Sequence, residues 1–570
     1  MKSKNWLMAV VCLLVFQLSA FAGAADYQTP QPLSNVVKAR VGQVDASATI
    51  PVPTITWGGD VATVLTEMDD IFKDEGLNVS LFREDNFPKQ VEKCLSGDTP
   101  YIRGTMGMIN AAAEAFKAKG LDLTVVYQLT WSVGGDALVV RQGKTLDNVQ
   151  TVALQLYGPH MDYAANLFQS KGRLNDVTFK WLPELTLPDY DSGKIVDPVS
   201  AFQADPTLDA VMCIIPDALM LTSGGTVGTG AEGSVKGAEI LVSTKTAGRI
   251  IADVYAVRTD YFQAHRGKVQ KFVRALMRGE EALRDLVKNK STQQSKYRQL
   301  LSKSADLLLG ASQATADAEA LLGDCEFVGH EGNMAFFTGK GTLRNMKTLN
   351  GEIGGYFSSL GLLGGSIALT AAGWDYAILG QGLKYGAKGL VPAPVKPKFD
   401  TQKAMAHVES RIAIEPETWE DEGTLFMVEI YFNPNQNAFS ASQYTADFQK
   451  ALEISQTYNG ALIVVEGHSD PLGVLKAERK GELRQVLNEM RQSAKNLSLE
   501  RSQKVREAFL SFCVNKGINI DESQFLPIGL GVSAPKYSPP QTEAEWNANR
   551  RVVFRIKQME AEMDSFVPLD

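Results

Sequence analysis

The chain has 570 residues, of which 44% are apolar and 21% are charged, and its formal charge is −8. This length exceeds what a single hydrophobic core normally organises, so several domain-sized units are expected. The acidic balance argues against a nucleic-acid-binding protein, because phosphate contacts need a surplus of lysine and arginine.

The first stretch, "MKSKNWLMAVVCLLVFQLSAFAGAADY", has a basic start at Lys2 and Lys4, an apolar centre, and an ending that contains Ala22 and Ala24. This order is typical of a secretory signal peptide, which we assign to residues 1–24. A retained membrane anchor is the alternative, but the apolar run is short for a bilayer span. The sequence therefore predicts a secreted chain.

Short β-like runs alternate with helical segments from about Pro53 to Pro216. The segment "VATVLTEMDDIFKDEG" places Val61, Leu65 and Phe72 at helical spacing, whereas "LTVVYQL" and "DALVVR" have the length and composition of strands. Such alternation predicts the α/β fold class with mainly parallel sheets.

Three loops of this region have glycines that allow backbone amides to approach a ligand at a helix start. They are "TWGGDVATVL", "YIRGTMGMINAA" and "LQLYGPHMDYAANLF". Their side chains Trp57, Thr105, Tyr157 and His160 are candidates for binding a solute. None of the three is a phosphate-binding loop, since "GTMGM" lacks the Gly-Lys-Ser/Thr ending.

Each further candidate has a structural alternative. Trp57 and Trp131 either stack on a solute or pack in the core. Asp60 either contacts a solute or complements the dipole of its helix. His160 either binds a solute or only begins a helix. Arg249, in "TAGRIIADV", suits an anionic solute, and a hinge salt bridge explains it equally well.

The order of segments resembles periplasmic solute-binding proteins of the nitrate/sulfonate/taurine group. The resemblance rests on "FKDEGLNVSL", "CLSGDTPYIRGTMGMINAAAEAFKAKGLDLTVV", "GGDALVVRQGKTLDNVQTVAL" and "TAGRIIADVYAVRTDYFQAHRGKVQKFVRAL". It implies a type II-like fold of two lobes over residues 52–385, with "DALVVR" and "DVYAVR" as the crossover strands. It also implies a small solute between the lobes, with anions among the candidates, and an ABC-type permease as partner.

The region 386–424 contains "VPAPVKP", whose prolines favour an extended, stiff linker. A smaller unit follows over residues 425–560. Its pattern predicts a strand, a helix, a second strand in "ALIVVEGHSD", further helices, and two closing strands in "FLPIGLG" and "RRVVFRI". This unit is also α/β.

Two motifs of this unit carry opposite charges, "VVEGHSD" with Asp470 and "LSLERSQKVREAF" with Arg501. We expect Ser498 to cap the second motif's helix, so that Arg501 reaches back to the strand end. A carboxylate beside a guanidinium suits a zwitterion; a surface salt bridge of little energetic value is the alternative. A Ser-His catalytic pair is disfavoured, because His468 and Ser469 are neighbours on a strand end and face opposite sides.

These motifs, with "LPIGLGVSAP" and "NRRVVF", occur in the order of the OmpA-like C-terminal domain, which binds peptidoglycan. The resemblance implies that Asp470 and Arg501 hold the diaminopimelate zwitterion of the stem peptide. It places Arg551 near the pocket, with Arg550 as a weaker choice. The insertion "VLKAERKGELRQVLNEMRQSAKN" lengthens the connection between the two motifs, and Ala494 replaces the family's usual Asn.

The sequence thus predicts a non-enzymatic periplasmic solute-binding protein attached to peptidoglycan, without cofactor or metal. The five histidines never approach ligand spacing, and the cysteines are not clustered. A wall-anchored sensor or scaffold without a transport role is the first alternative. An enzyme resembling the pyrimidine-precursor synthase of the same fold group is the second, and it would require a cysteine-rich active-site stretch.

Overall fold

The computed structural model describes residues 25–46, 49–186, 193–365, 367–384, 399–414, 419–420 and 423–558. The predicted signal peptide and the prolines of the predicted linker lie outside these residues. Within the described ranges, no helix combines the length and the apolarity that a membrane span requires.

The strands, in chain order, are β1 (Ile50–Thr54), β2 (Val79–Arg83), β3 (Tyr101–Thr105), β4 (Leu123–Ser132), β5 (Asp136–Val140), β6 (Thr151–Gln155), β7 (Thr178–Leu182), β8 (Ala210–Ile214), β9 (Glu239–Ser243), β10 (Ala252–Arg258), β11 (Cys325–Phe327), β12 (Thr370–Ala371), β13 (Thr424–Tyr431), β14 (Leu462–His468), β15 (Phe525–Gly531) and β16 (Arg551–Lys557).

The α-helices are α1 (Leu33–Val36), α2 (Asp60–Met68), α3 (Ile71–Asp74), α4 (Phe87–Ser96), α5 (Met106–Lys117), α6 (Met161–Ser170), α7 (Pro198–Ala204), α8 (Ile215–Leu221), α9 (Thr259–Ala264), α10 (Arg266–Lys288), α11 (Gln294–Leu309), α12 (Thr315–Gly323), α13 (Gly329–Thr338), α14 (Met346–Ser359), α15 (Tyr376–Leu379), α16 (Thr401–Ile414), α17 (Thr445–Thr457), α18 (Leu472–Arg479), α19 (Arg484–Asn515) and α20 (Glu543–Asn549).

The described residues from Ala25 to Phe327 form two α/β lobes. Lobe 1 contains the sheet β11-β4-β10-β3 and the parallel pair β1–β2, and lobe 2 contains the sheet β7-β6-β8-β5-β9. The chain crosses between the lobes twice, from β4 to β5 and from β9 to β10. The two-lobed α/β fold expected from the sequence is therefore the one observed.

The sheets are mixed, which corrects the prediction of mainly parallel sheets. β6 pairs in parallel with β7 and β8, but β5 runs antiparallel to β8 and β9. In lobe 1, β10 runs antiparallel to β3 and β4. Both β5 and β10 follow a crossover and enter their sheets from the opposite lobe, and the short β11 also runs antiparallel to β4.

Helices α11 and α12 extend lobe 1. Leu300, Leu301 and Leu308 are buried together with Val61 and Leu65 of α2 in one apolar cluster. The apolar spacing that predicts α2 from the sequence therefore corresponds to a buried face of the helix. This face packs mainly on helices that follow later in the chain.

The C-terminal domain has the sheet order β13-β16-β14-β15. Phe448 of α17 and Phe509 of α19 pack with Phe554 on one face of this sheet. On the other face, Ala404 and Val408 of α16 are buried in a cluster with β14 and β15. Part of the region predicted to be linker therefore packs as a helix on the C-terminal sheet.

Helix α19 begins at Arg484, so Ser498 does not cap it. This corrects the prediction of a helix start at Ser498 and places Arg501 well inside the helix. The apolar residues of the insertion continue the helical pattern, and no Gly or Pro interrupts it. Ser498 instead donates a hydrogen bond to the Lys495 carbonyl and accepts one from the Gly531 amide.

The C-terminal domain docks on the two-lobed unit at the end of α17. The Gly460 amide donates to the Thr246 carbonyl over 3.1 Å, and the Arg249 amide donates to the Thr457 carbonyl over 3.3 Å. Tyr458 reaches Ser170 of lobe 2. The contact therefore falls on the second crossover segment.

Replacing Gly460 by alanine should separate the two units. A Cβ at this position would lie 2.1 Å from the Lys245 carbonyl oxygen, a backbone atom that cannot rotate away. We expect a cost of about 1 to 3 kcal/mol to the docked arrangement and a larger radius of gyration in small-angle X-ray scattering. Gly351→Ala is the matched control, because nothing lies within 4 Å of its Cβ. Identical scattering from both variants and the wild type would contradict this docking.

Candidate functional site

Arg501 is a buried guanidinium that is held by backbone carbonyls. It is 1% exposed, and it donates to the carbonyl oxygens of Gln436 (2.8 Å), His468 (3.2 Å) and Asn433 (3.2 Å). The guanidinium also lies over the Phe432 ring, 5.2 Å from its centre. No carboxylate of the described residues forms an ion pair with it, so its charge is not neutralised within the described chain.

Close packing places Arg501 at this strand end. A Cβ on Gly467 would lie 1.9 Å from the Ser498 carbonyl oxygen, so β14 and α19 approach as closely as only glycine permits. Burial, together with repulsion from Arg550, lowers the pKa of Arg501 to about 10. The guanidinium remains charged at neutral pH.

Asp470 lies just beyond the end of β14. Its Oδ1 accepts a hydrogen bond from the Leu472 amide over 3.1 Å. Its Oδ2 is 3.7 Å from Nη1 of Arg550, and the side chain is 17% exposed. Asp470 and Arg501 therefore do not pair with each other, although both lie beside Arg550.

The structure separates the two arginines at the start of β16. Arg551, which the resemblance places near the pocket, forms an ion pair with Glu429 over 3.3 Å. Arg550, the weaker choice from the sequence, is the one that reaches Asp470. Successive residues at a strand end face opposite sides, which explains why only Arg550 reaches Asp470.

His468 and Ser469 have separate partners. Nδ1 of His468 lies 2.9 Å from the Ala534 carbonyl, and the Ser469 hydroxyl donates to the Ala494 carbonyl. Burial, with a further contribution from Arg551, lowers the pKa of His468 to about 3, so the imidazole is neutral. The two side chains therefore do not form a hydrogen-bonded pair.

In the two-lobed unit, Asp60 belongs to a buried ion cluster. Arg103 is completely buried and lies 3.1 Å from Asp60 and 3.0 Å from Asp253. Trp57 donates its indole N–H to Thr130, which in turn donates to Asp253. Trp57 and Asp60, both predicted to contact a solute, thus take part in one intramolecular network.

Thr105 and Tyr157 also have structural roles. Thr105 caps α5 by accepting a hydrogen bond from the Met108 amide. Tyr157 is 5% exposed, has a positive φ of 60° and donates its hydroxyl to the Gln31 carbonyl. Both side chains are buried and are bonded within the chain, and their role in solute binding stays a prediction.

Trp131 and Arg249 lie together at the crossover. Trp131 packs edge to face on Phe336, and the Arg249 guanidinium lies 5.4 Å from the centre of the Trp131 ring. Arg249 also forms an ion pair with Glu326. The hinge salt bridge that the sequence leaves open for Arg249 is therefore present.

His160 joins the network that ties the two crossovers together. Its Nε2 is 2.7 Å from Oδ1 of Asp136, whose Oδ2 accepts a hydrogen bond from Ser132. Ser132 lies 2.9 Å from the Thr244 hydroxyl, which also accepts from the Gly134 amide. His160, predicted to bind a solute or to begin a helix, precedes α6 and contacts the start of β5.

Sequence reasoning missed four residues of this junction: Arg103, Asp136, Asp162 and Asp253. Asp136 and Asp253 begin or nearly begin the two crossover strands, "DALVVR" and "DVYAVR". An isolated Arg103 within an apolar strand was a further signal. A buried arginine needs carboxylate partners, and these two aspartates were available in the sequence.

Asp162 is the most unusual of the four. It lies in the first turn of α6 and is 1% exposed, and apart from its own backbone amide no described residue donates a hydrogen bond to its carboxylate. A Cβ on Gly107 of α5 would lie 2.4 Å from its Oδ1, so the carboxylate of lobe 2 rests on a helix start of lobe 1. Burial, with contributions from Asp253 and Asp136, raises the pKa of Asp162 to about 7, while Arg344 opposes this.

Asp162→Asn should stabilise the protein above neutral pH. The raised pKa of Asp162 stabilises the folded state fully below about pH 4, which is the pKa of an aspartate in the unfolded chain. This stabilisation is lost as the pH rises through about 7. Asparagine has no charge to bury, so the free energy of unfolding of the variant should exceed that of the wild type by about 1 to 2 kcal/mol near pH 8. Opening of the lobes limits this difference, because it returns the wild-type carboxylate to water. Thermal unfolding from pH 4 to pH 8 measures the difference, which should vanish at the acidic end. An equal difference at every pH would contradict the assignment.

No family model matches this sequence, and no curated protein matches it. Solved structures do match. The protein CA3427 of Candida albicans, described as having the generic periplasmic binding protein fold, is 13% identical over 56% of this chain and 92% of its own, with a TM-score of 0.38. The alkanesulfonate-binding protein SsuA from Xanthomonas axonopodis pv. citri is 14% identical over 58% of this chain and 97% of its own, with a TM-score of 0.36.

A peptidoglycan-associated lipoprotein from Burkholderia pseudomallei is 20% identical over 23% of this chain and 89% of its own, with a TM-score of 0.18. Both kinds of structure expected from the sequence are thus among the neighbours of this chain. The first is described by its fold alone, the second as an alkanesulfonate-binding protein and the third as a peptidoglycan-associated lipoprotein. Identities this low and TM-scores below 0.5 leave open what this chain itself binds.

Proposed function

We propose that this chain is a periplasmic binding protein in which a two-lobed unit encloses a small solute and the C-terminal domain attaches the protein to peptidoglycan. The observation that carries the proposal is Arg501, a buried guanidinium without a carboxylate partner among the described residues. An unmatched buried charge is costly, and a ligand carboxylate would remove that cost through charge-assisted hydrogen bonds.

The neighbouring Asp470 supplies the opposite charge. It remains partly exposed and keeps a distance of 3.7 Å from Arg550. A ligand with both an ammonium and a carboxylate matches Asp470 and Arg501 at once. The free end of diaminopimelate in a peptidoglycan stem peptide has this chemistry, and the motifs "VVEGHSD" and "LSLER" support it by their resemblance to OmpA-like domains.

The two-lobed unit supports solute binding through its architecture. Two crossover segments connect the lobes, and such a connection permits opening and closing around a ligand. The starts of α5 and α6 meet at the junction, where Asp162 rests on Gly107. An ABC-type permease or a sensor is the partner that such a unit would serve.

Co-sedimentation with purified peptidoglycan tests the wall attachment. The protein should sediment with sacculi whose stem peptides contain diaminopimelate, and much less with sacculi that contain lysine at the same position. Lysine keeps the ammonium but lacks the second carboxylate, so it offers nothing to Arg501. Equal sedimentation with both sacculi would refute the zwitterion site.

A wall-attached scaffold without solute is the second candidate. It is favoured by the intramolecular contacts of the residues predicted for solute binding, which are Trp57, Asp60, Thr105, Trp131, Tyr157, His160 and Arg249. Native mass spectrometry of protein purified from its own periplasm separates the two candidates. A copurified small molecule supports solute binding, and an empty protein supports the scaffold.

A further inference from the structure

The junction between the lobes contains more carboxylates than cations. The carboxylates belong to Asp60, Asp136, Asp162, Asp253 and Asp324, and each of them interacts with Asp136 or Asp253. Burial is the main cause of their raised pKa values where a shift is seen, and Asp136 adds to it at Asp162, Asp253 and Asp324. These side chains therefore act on one another as one electrostatic unit.

The arginines near this junction already have carboxylate partners. Arg103 pairs with both Asp60 and Asp253, and Arg249 pairs with Glu326. Arg344 lies 2.8 Å from the Glu352 carboxylate. An oxyanion such as a sulfonate would have to displace an internal carboxylate to reach any of them.

The helix starts at the junction are also occupied. Asp60 begins α2, Asp162 lies in the first turn of α6, and Asp217 lies in the first turn of α8. A helix start attracts anions through its free amides and dipole, and each of these three is complemented by an aspartate of its own helix. The start of α5 has no acidic residue of its own, but Asp162 of α6 lies against it. The arginines and the helix starts, which could both attract an anionic solute, are therefore already in contact with carboxylates of the chain itself.

Two buried polar groups at the start of α6 form no hydrogen bond with any other residue of the described chain. They are the Asp162 carboxylate, 1% exposed, and Nδ1 of His160, which is 0% exposed. The other ring nitrogen of His160 is engaged by Asp136. Buried polar atoms are rarely left without a partner, because each costs free energy. What is missing at Asp162 is a hydrogen-bond donor.

We propose that the solute of the two-lobed unit is an organic cation with an ammonium or guanidinium group, bound by Asp162 when the lobes close. The inference rests on the proposed function, because it names the chemical class of the solute for the same cleft. A metal ion is a poorer match, since no three His, Cys, Asp or Glu side chains of the described residues are arranged to hold one.

Closure explains why a cation is needed. Closing the lobes over an ionised Asp162 removes it from water, and an N–H donor with positive charge restores its hydrogen bonds. A proton is the alternative way to neutralise the carboxylate. Cation and proton therefore compete, so acidification should weaken cation binding. The charged groups that act on Asp162 from the neighbouring elements are Asp136, Asp253 and Arg344.

Calorimetric titration and thermal shift of the full chain near neutral pH test the inference. The cationic probes are methylammonium, putrescine and agmatine, and the anionic probes are nitrate, phosphate and methanesulfonate. We expect a cationic probe to bind and to raise the melting temperature, and we expect no effect of the anions. Asp162→Asn should weaken the cation at least about tenfold, and Asp176→Asn, at an exposed position of lobe 2, should not.

The outcomes separate this inference from the proposed function. Binding of an anionic probe alone would overturn the cationic solute but leave a solute-binding protein. A cation that binds Asp162→Asn as tightly as the wild type would overturn the role of Asp162. If no probe binds and the periplasmic protein contains no small molecule, solute binding itself fails.

Discussion

Replacing Arg501 by alanine is expected to abolish retention of the protein on diaminopimelate-containing peptidoglycan. The guanidinium is buried against three backbone carbonyls and has no carboxylate partner in the described chain. Loss of a charge-assisted contact of this kind costs roughly 1.5 to 3 kcal/mol, about 10- to 150-fold in affinity. Retention on sacculi in a pull-down with graded wash steps measures the loss.

Two further variants make the result specific. Asp470→Asn removes the other charge from a partly exposed side chain, so it should reduce retention without disturbing the core. Lys504→Ala removes a cation from an exposed position of the same helix and should bind like the wild type. Circular dichroism must show that all three variants fold. If Asp470→Asn is retained as well as Lys504→Ala, the zwitterion site is not at these residues.

Arg103→Met should destabilise the two-lobed unit by roughly 3 to 5 kcal/mol, because breaking a buried ion pair leaves charge without compensation. Asp60 and Asp253 would both lose their cation. In the wild type, burial raises the pKa of Asp60 to about 6, and Arg103 opposes this rise. Without the arginine both carboxylates need protons to stay buried, so the loss should be larger near pH 8 than near pH 5. Thermal unfolding at the two pH values measures it.

The control for Arg103 is Arg298→Met, at an exposed position of α11, which should change the melting temperature little. A triple variant that adds Asp60→Asn and Asp253→Asn should recover part of the stability, because no charge is then left unmatched. If Arg103→Met unfolds at the wild-type temperature at both pH values, the ion cluster contributes nothing to stability.

The positions of Asp470 and Arg501 near one end of β14 were largely predictable, because their sequence signals are local. Asp470 and Arg501 each lie within a short motif, and the motifs differ from the surrounding apolar runs. The contact between Arg550 and Asp470 was not predicted, since the choice between Arg550 and Arg551 depends on which side of β16 faces the end of β14.

The network of buried charges at the junction of the lobes was predicted less well, for a physical reason. Asp60 and His160 were recognised as polar residues at helix starts, and both are there. Their partners Arg103 and Asp136 lie tens of residues away, and Asp253 lies 150 residues from Arg103. Burial and mutual pairing of such charges depend on how the lobes meet, which no local pattern records.

By itself, the sequence determined the α/β alternation, the two crossover strands and the charged motifs of the C-terminal domain, because hydrophobic periodicity and short motifs depend on neighbouring residues. Only the tertiary structure decided that α19 runs through Ser498 and that the strands after the crossovers are antiparallel. It also decided that Arg103 pairs with carboxylates, whereas Arg501 and Asp162 form no ion pair with any described residue. Each of these outcomes depends on contacts between distant segments, and the balance of buried charge is settled only when those segments meet.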